Sequence, residues 1–478
     1  ELYFGLPLAN EQILVGGIFE SLSDLPIRHL AILGENGVPL PLNLDGTGCD
    51  DATYGSISLS DGSTIVYGDN RKYNSQTVGR IFKVDGSGTL DMGFDPGTGA
   101  NDRINTALLS NTGSIYVGGA FSCFNNHHNP GLVRINPDGG IDPEFIVNEG
   151  FDGSVLALEQ LPSGNLVVVG DFVHYNGYES RGAIVLDPTG NIVQSFQPGA
   201  GFNGPVMSVH VIETEKILIG GNFTMYNGQE VNNIVMLDLM GNIAQDWVCS
   251  GTDGSVYALS STPNGKLLVG GRFKQINQTE QYYIASLNPD GSINDDYLTG
   301  VWPDNAVRCI LPLDAYNCFM IGGYFDEFNS EASSNIATIS WDGSRIDYLD
   351  TEVQINNWVS GLELTPERNI MVTGKFTEIG DNGRNRLARL TNIVSPSNNS
   401  MEHIEVVIAP NPTKHHFEIK GLTNDTRMEI IDGMGRTIRT EFIEPEERNS
   451  TTDLPDGQYR LRLSNDHETV FLNLVLIR

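Results

Sequence analysis

Positive charge is what this chain has least of. Among 478 residues, 28 Lys and Arg stand against 60 Asp and Glu, a formal charge of −32. Nucleic-acid backbones are bound through clustered cations, so no nucleic-acid partner is expected. Long apolar runs are missing as well. The longest extend five or six residues, against roughly 20 for a spanning helix, so no transmembrane segment is expected. Five cysteines, Cys49, Cys123, Cys249, Cys309 and Cys318, are too few and too scattered for a disulfide framework or a zinc site. Cys309 and Cys318 fall on consecutive strands of a hairpin turning near Leu313 to Tyr316. That places Cys318 at the mouth and Cys309 far down the other strand, beyond disulfide reach. Buried free thiols are the expectation. The chain starts at Glu1 without a basic and then apolar leader, as when a signal peptide has been removed or the chain is a fragment.

What is abundant is glycine, 54 residues of it, with many Asn-Gly and Asp-Gly pairs and little helical periodicity. That composition suits an all-β chain rich in turns. Self-similarity gives the organisation. Ile13-Leu14-Val15-Gly16-Gly17-Ile18-Phe19 recurs as Ile115-Tyr116-Val117-Gly118-Gly119-Ala120-Phe121, and again near 170, 221, 271, 323 and 374. A degenerate copy reads Val66-Tyr67-Gly68-Asp69-Asn70. The shared glycines are Gly17, Gly68, Gly119, Gly170, Gly221, Gly271, Gly323 and Gly374, with steps of 50 to 52 residues.

Each unit reads as four short strands. An apolar run such as Val155-Leu156-Ala157-Leu158 precedes the glycine, and a third run such as Ile184-Val185-Leu186 follows it. An aromatic (Phe94, Phe145, Phe196, Trp247, Tyr297) comes 26 residues after the glycine. Hairpin turns such as Asn136-Pro137-Asp138-Gly139 lie between the third and fourth strands, with glycine supplying the positive φ that other residues resist. A four-stranded unit at this period is the signature of a propeller blade. The second strand is apolar on both faces, as in Leu166-Val167-Val168-Val169, which fits a sheet held between two neighbours. A linear solenoid would have polar, atypical ends, whereas the first and last units keep their apolar strands, so a closed ring is favoured. Units one and eight each own a second and a third strand, and the expectation is therefore eight blades. The last unit stops after Leu387-Ala388-Arg389-Leu390 without a fourth strand. That strand is either absent or lent by the N-terminal stretch.

The chemical motifs are sparse. No Gly-x-Ser-x-Gly elbow, His-Glu-x-x-His helix, phosphate-binding loop or paired-Cys metal motif occurs, so no catalytic, cofactor-binding or metal residues are assigned. His127-His128 follows Phe121 in a loop whose neighbours carry Tyr175-Asn176 and Tyr226-Asn227. A solvated loop explains it better than a metal site, and His415-His416 reads the same way. Asp/Asn-rich turns such as Asn136 to Asp142 resemble calcium loops but lack the length and terminal Glu of an EF-hand. Calcium is kept as the minor cofactor reading and none as the main one. One position varies freely between the shared glycine and the following residue: Ile18, Asp69, Ala120, Asp171, Asn222, Arg272, Tyr324 and Lys375. Solvent exposure accounts for it, with a channel-lining role as the sharper alternative.

The apolar strand, Val-Gly-Gly-x-Phe, the loop with Tyr175-Asn176-Gly177 or Tyr226-Asn227-Gly228, and the Asn-Pro-Asp-Gly turn together resemble the bacterial delta-sixty repeat propellers over roughly residues 1–392. Kelch repeats need Trp or Tyr at fixed offsets in every blade, and the four tryptophans here each sit at a different phase. The resemblance implies a fold and hardly an activity.

The repeat fails after Leu390. Residues 393–402 form a Pro/Ser/Asn linker, and 403–478 a compact strand-rich segment, expected as a small antiparallel β-sandwich. From His403 onward nine basic residues face thirteen acidic ones, so residues 1–402 carry −28 of the charge. The segment resembles the type A C-terminal sorting domain of the type IX secretion system of Bacteroidota. The matching residues are Pro410-Asn411-Pro412, then Asp432, Gly435 and Arg436, then Leu454, Gly457 and Tyr459, and a last strand ending at Arg478. That family spaces lysines through its final strand, where this chain has Asn473 and Arg478. The resemblance implies signal-peptide export, passage through the outer-membrane translocon, contact with its processing machinery, and a destination outside a Gram-negative cell or on its outer surface. Ser397 to Ser400 would then offer a cleavable linker.

The expectation is a monomeric, non-enzymatic, secreted or surface-attached propeller that binds an extracellular or surface ligand through one face of the ring. A polysaccharide-active or other hydrolytic propeller, and a passive cargo without a ligand, are the alternatives.

Overall fold

The computed structural model describes residues 48–212, 216–297, 302–346, 354–366, 369–379 and 382–390 in full. It also describes four short strands before residue 41, residue 454, and seven strands between 407 and 476. The chain divides into two compact units, Glu1–Ser395 and Pro396–Arg478.

In the first unit, repeats two to eight each form a three-stranded antiparallel sheet in chain order. The middle strands (Thr64–Gly68, Ile115–Gly119, Leu166–Asp171, Lys216–Gly221, Leu267–Gly271, Cys318–Gly323 and Ile370–Gly374) are buried almost end to end. Burial on both faces is what their unbroken apolar runs require of a sheet between two others. Core clusters accordingly combine residues of adjacent repeats, such as Val167 and Val185 with Ile219 and Val235.

The inner strands (Thr53–Ser58, Ile104–Leu109, Ser154–Gln160, Val206–Ile212, Val256–Ser261, Val307–Leu313 and Val359–Leu364) follow one another around an axis, and the last packs against the first. Among the described residues the ring is closed, as expected, but by seven sheets and not eight. Asn105 Nδ2 donates to Val155 O (2.8 Å) across an ordinary boundary. Ser360 Oγ donates to Thr53 O (2.6 Å) across the closure in the same way. Gly374 N–H donates to Thr53 Oγ1 (3.1 Å) and Cys49 N–H to Asn385 O (3.1 Å). Gly55 and Gly361 face each other there, and a Cβ on Gly361 would press on the Gly55 backbone. The eight-blade expectation counted copies. Membership is decided by which faces bury against each other, and the faces of repeats eight and two leave no room between them. The first repeat forms its own sheet from Leu2–Pro7, Ile13–Gly17, Leu30–Leu33 and Pro39–Leu40 in that order. Its first strand pairs with its own second strand, and among the described residues none of its strands joins the sheet of the last blade.

The expected fourth strand is reduced to a single bridge, as in Ile135 with Ile141 or Leu186 with Ile192. The aromatics after it are buried, Phe94, Phe145, Phe196 and Tyr297 among them. Leu313 stands opposite Cys318 and Cys309 opposite Gly322, the register expected from the sequence, and all five cysteines are free.

The second unit holds two antiparallel sheets. One has three strands centred on His416–Lys420; the other has four, in the order Thr437–Ile443, Thr426–Ile431, Gly457–Ser464, Thr469–Leu476. Met428, Ile430, Leu454 and Leu461 are buried.

Candidate functional site

The shared glycine is a close-approach residue. At Gly68, Gly119, Gly170, Gly221, Gly271, Gly323 and Gly374 a Cβ would overlap the carbonyl oxygen of the residue just before the inner strand's first apolar position. That carbonyl accepts the N–H of the residue after the glycine, as in Ala120 N to Arg103 O (2.9 Å) and Tyr324 N to Ala306 O (2.9 Å). The approach accompanies a β-bulge that recurs in all seven inner strands, between Thr53 and Gly55 and at the matching place in each other blade. Bulges re-aim a side chain and are common beside functional sites. The bulged residues are Tyr54, Asn105, Leu156, Met207, Tyr257, Arg308 and Ser360.

Each blade thus offers three side chains at one mouth of the ring: the bulged residue, the residue two before it, and the residue after the shared glycine. The last is the freely varying position of the sequence. It is half-buried at Asp69 and exposed at Ala120, Asp171, Asn222, Arg272, Tyr324 and Lys375.

Repeats six, seven, eight, two and three fill these positions with aromatic rings and arginine. Tyr324 stacks on Trp358 (centroids 5.3 Å apart, 28°), and Tyr54 is also stacked with Trp358 (6.3 Å, 18°). The Arg308 guanidinium lies 4.8 Å from the Tyr257 ring centroid and 5.7 Å from those of Tyr324 and Trp358. Arg103 lies 5.4 Å from the Tyr54 ring and pairs with Asp69 through Nε (3.3 Å), while Tyr54 donates its hydroxyl to Asp69 Oδ2 (2.7 Å). Burial and then the Asp69 carboxylate push the Tyr54 phenol well above its ordinary range. Cation–π contacts of this kind contribute about 0.5–2 kcal/mol each. Repeats four and five complete the bulge positions with Leu156 and Met207, so the mouth is lopsided.

Further along the inner strands, three consecutive blades form a polar relay. His210 Nε2 is 2.9 Å from Ser261 Oγ, and His210 Nδ1 is 3.4 Å from Glu159 Oε1. Glu363, at the same strand position in repeat eight, sits at the closure, where it accepts the Ser58 N–H (3.3 Å). Burial pushes its carboxyl up to about 7.

The turns weighed as calcium loops use their carboxylates internally. Asp85 Oδ1 accepts the Ser87 hydroxyl (2.6 Å) and the N–H of Ser87 (2.8 Å) and Thr89 (3.0 Å), and these bonds hold its carboxyl below the usual range. Asp138 Oδ1 accepts the Gly140 N–H (3.0 Å), and Asp142 pairs with Arg134 (2.8 Å). Among the described residues no group of three or more His, Cys, Asp or Glu side chains is placed to hold a metal. His127 and His128 are exposed on the return strand of a two-residue hairpin, opposite Phe124 and Cys123.

Of the expected sorting residues, Leu454 is buried. Gly457 and Tyr459 stand opposite Leu476 and Leu474. Pro410, Asn411, Pro412, Asp432, Gly435, Arg436 and Arg478 lie outside the described residues, as do His415 and the linker at 393–402.

Comparison with protein families settles what the period and the tail are. A domain of unknown function described as the DUF5122 beta-propeller matches residues 59–94, 111–145, 215–243, 262–295 and 368–392. A secretion system C-terminal sorting domain matches residues 407–477. The chain carries DUF5122 propeller repeats and a type IX sorting domain. The repeat model meets the ring in five of its seven sheets, and the sorting model spans all seven described strands of the second unit.

No curated protein matches the chain. Among solved structures, the extracellular domain of the two-component system protein BT4673 from B. thetaiotaomicron is 12% identical, with a TM-score of 0.46, and covers all of this chain; this chain spans 62% of that one. PorZ, a surface component of the type IX secretion system of Porphyromonas gingivalis, is 14% identical with a TM-score of 0.40, over 98% of this chain and 64% of that one. The WD40 propeller domain of Doa1 is 13% identical with a TM-score of 0.47, over 73% of this chain and 97% of that one.

The sorting domain marks the chain as a cargo addressed to the secretion machinery. Among the described residues no helix is long and apolar enough to cross a membrane.

Proposed function

We propose that the protein is a non-enzymatic binding module, exported through the type IX system of a Gram-negative bacterium and used outside the cell or on its surface as a monomer. Its second unit would act as a sandwich-like address that contacts the translocon and the processing machinery through residues 403–478, and the ring would carry the function. The observation that carries the binding role is the mouth built by Tyr257, Arg308, Tyr324, Trp358 and Tyr54. Four repeats that are otherwise interchangeable place these rings and the guanidinium group at equivalent bulged or flanking positions. Aromatic rings beside cations are the side chains that anchor binding surfaces. A passive cargo has no need of such a concentration.

The test is binding of the intact secreted protein to cells, matrix and a saccharide array, with Tyr324→Ala and Trp358→Ala compared with the exposed rim change Met240→Ala. Loss of binding in the mouth variants alone is expected. Equal binding by all three removes the assignment. For the address, deletion of 403–478 should leave the ring in the periplasm, and export of the truncated chain would refute it.

The hydrolytic reading keeps one observation in its favour. Ser261, His210 and Glu159 have the order and spacing of a nucleophile, its base and an orienting carboxylate. No pair of oxyanion donors accompanies Ser261 in the contacts described. Covalent labelling of Ser261 by a fluorophosphonate, abolished in His210→Ala, would establish that reading over the binding one.

A further inference from the structure

The mouth also indicates the charge of what it takes. The residues 1–402 that contain the ring carry −28, yet the three mouth positions of repeats six, seven and eight bring Arg272, Arg308 and Lys375 together on neighbouring blades. Among the described residues none of the three makes an ion pair or a side-chain hydrogen bond, whereas Arg103, on the far side of Tyr54, is paired with Asp69. Arg308 is the telling member. Its guanidinium carbon, on a half-buried side chain, lies over the Tyr257, Tyr324 and Trp358 rings, and among the described residues none of its N–H donors has a protein acceptor. Planar N–H donors held this way match a carboxylate in bidentate geometry. Beside them Tyr324 is 42% exposed, a flat apolar plate on which the C–H face of a pyranose ring can lie.

Resting on the binding role proposed above, we infer that the ligand is an acidic saccharide, a uronic-acid chain. Arg308 grips its carboxylate, Tyr324 stacks on the ring that bears it, and Arg272 and Lys375 receive the carboxylates of the adjoining sugars. An acidic peptide would satisfy the guanidinium equally but gives Tyr324 no rigid apolar face to stack against, and the saccharide is therefore the occupant favoured here.

Calorimetric titration of the full chain with trigalacturonate, its methyl ester and an oligoglutamate peptide tests this. Trigalacturonate should bind about tenfold or more tightly than the ester, and 0.5 M NaCl should erode that preference. Arg308→Gln should cut the acid-to-ester ratio about threefold or more, leaving the part that Arg272 and Lys375 supply, while Tyr324→Ala should weaken both ligands together. The ratio in the unaltered protein does not depend on any variant folding, and Arg308→Lys keeps the charge while removing the fork. Equal affinity for acid and ester, a ratio unchanged in Arg308→Gln, oligoglutamate binding as tightly as the saccharide, or no binding of trigalacturonate at all would each overturn the inference. Saccharide-array binding that is lost in Tyr324→Ala but indifferent to charge would overturn it while leaving the binding role standing.

Discussion

Glu363 provides a direct test of how the ring is closed. The side chain stands at the boundary between the last blade and the first, with the Ser58 amide as its hydrogen-bond partner. Burial raises its carboxyl from 4.5 to about 7. Below pH 4.5 the group is protonated whether the chain is folded or not, so it contributes no pH dependence. Between 4.5 and 7 the unfolded chain releases the proton while the folded ring retains it, and stability falls as pH rises. At 1.36 kcal/mol per tenfold change, the loss is complete above pH 7 and amounts to about 3 kcal/mol. Glu363→Gln keeps an acceptor for Ser58 and cannot ionise. Urea unfolding of wild type and variant should give similar midpoints at pH 4 and diverge to about 3 kcal/mol in favour of the variant at pH 8. Midpoints that stay parallel across that range would show that Glu363 is not buried at a closed boundary, and the seven-bladed ring would lose a principal support.

Three further outcomes follow from the packing. Asp142→Asn leaves the Arg134 guanidinium, whose side chain is only 10% exposed, without its counter-charge, and chemical unfolding should show a loss of about 3 kcal/mol or more. Gly221→Ala drives a Cβ into the Pro205 carbonyl and should cost about 1–3 kcal/mol or more, whereas Gly164→Ala, at a roomy turn with φ of +89°, should cost only about 1–2 kcal/mol by the same assay. Tyr175→Phe removes the hydroxyl that donates to Gly190 O (2.8 Å) and should cost about 1 kcal/mol, with saccharide binding unchanged because that residue lies away from the mouth.

The period, the all-β class and the break before the tail were legible because glycine-rich strand ends and Asn/Asp turns are local requirements that every copy must meet. The blade number was not, because it depends on contacts between residues such as Thr53 and Ser360, roughly 300 positions apart. The mouth was half legible. The varying position after the shared glycine drew attention to Tyr324, Arg272 and Lys375, but Arg308, Tyr257, Tyr54 and Trp358 passed as ordinary strand and loop residues. Only the bulge brings them alongside, and bulges leave no pattern in a run such as Val307-Arg308-Cys309.

Closure by whole sheets has an evolutionary corollary. Each sheet's described strands come from a single repeat, so the circle is fastened by side chains such as Thr53, Ser360 and Arg386 rather than by a swapped strand. A circle fastened that way can gain or lose a whole member by duplication or deletion at either end, at the cost of re-matching one pair of faces.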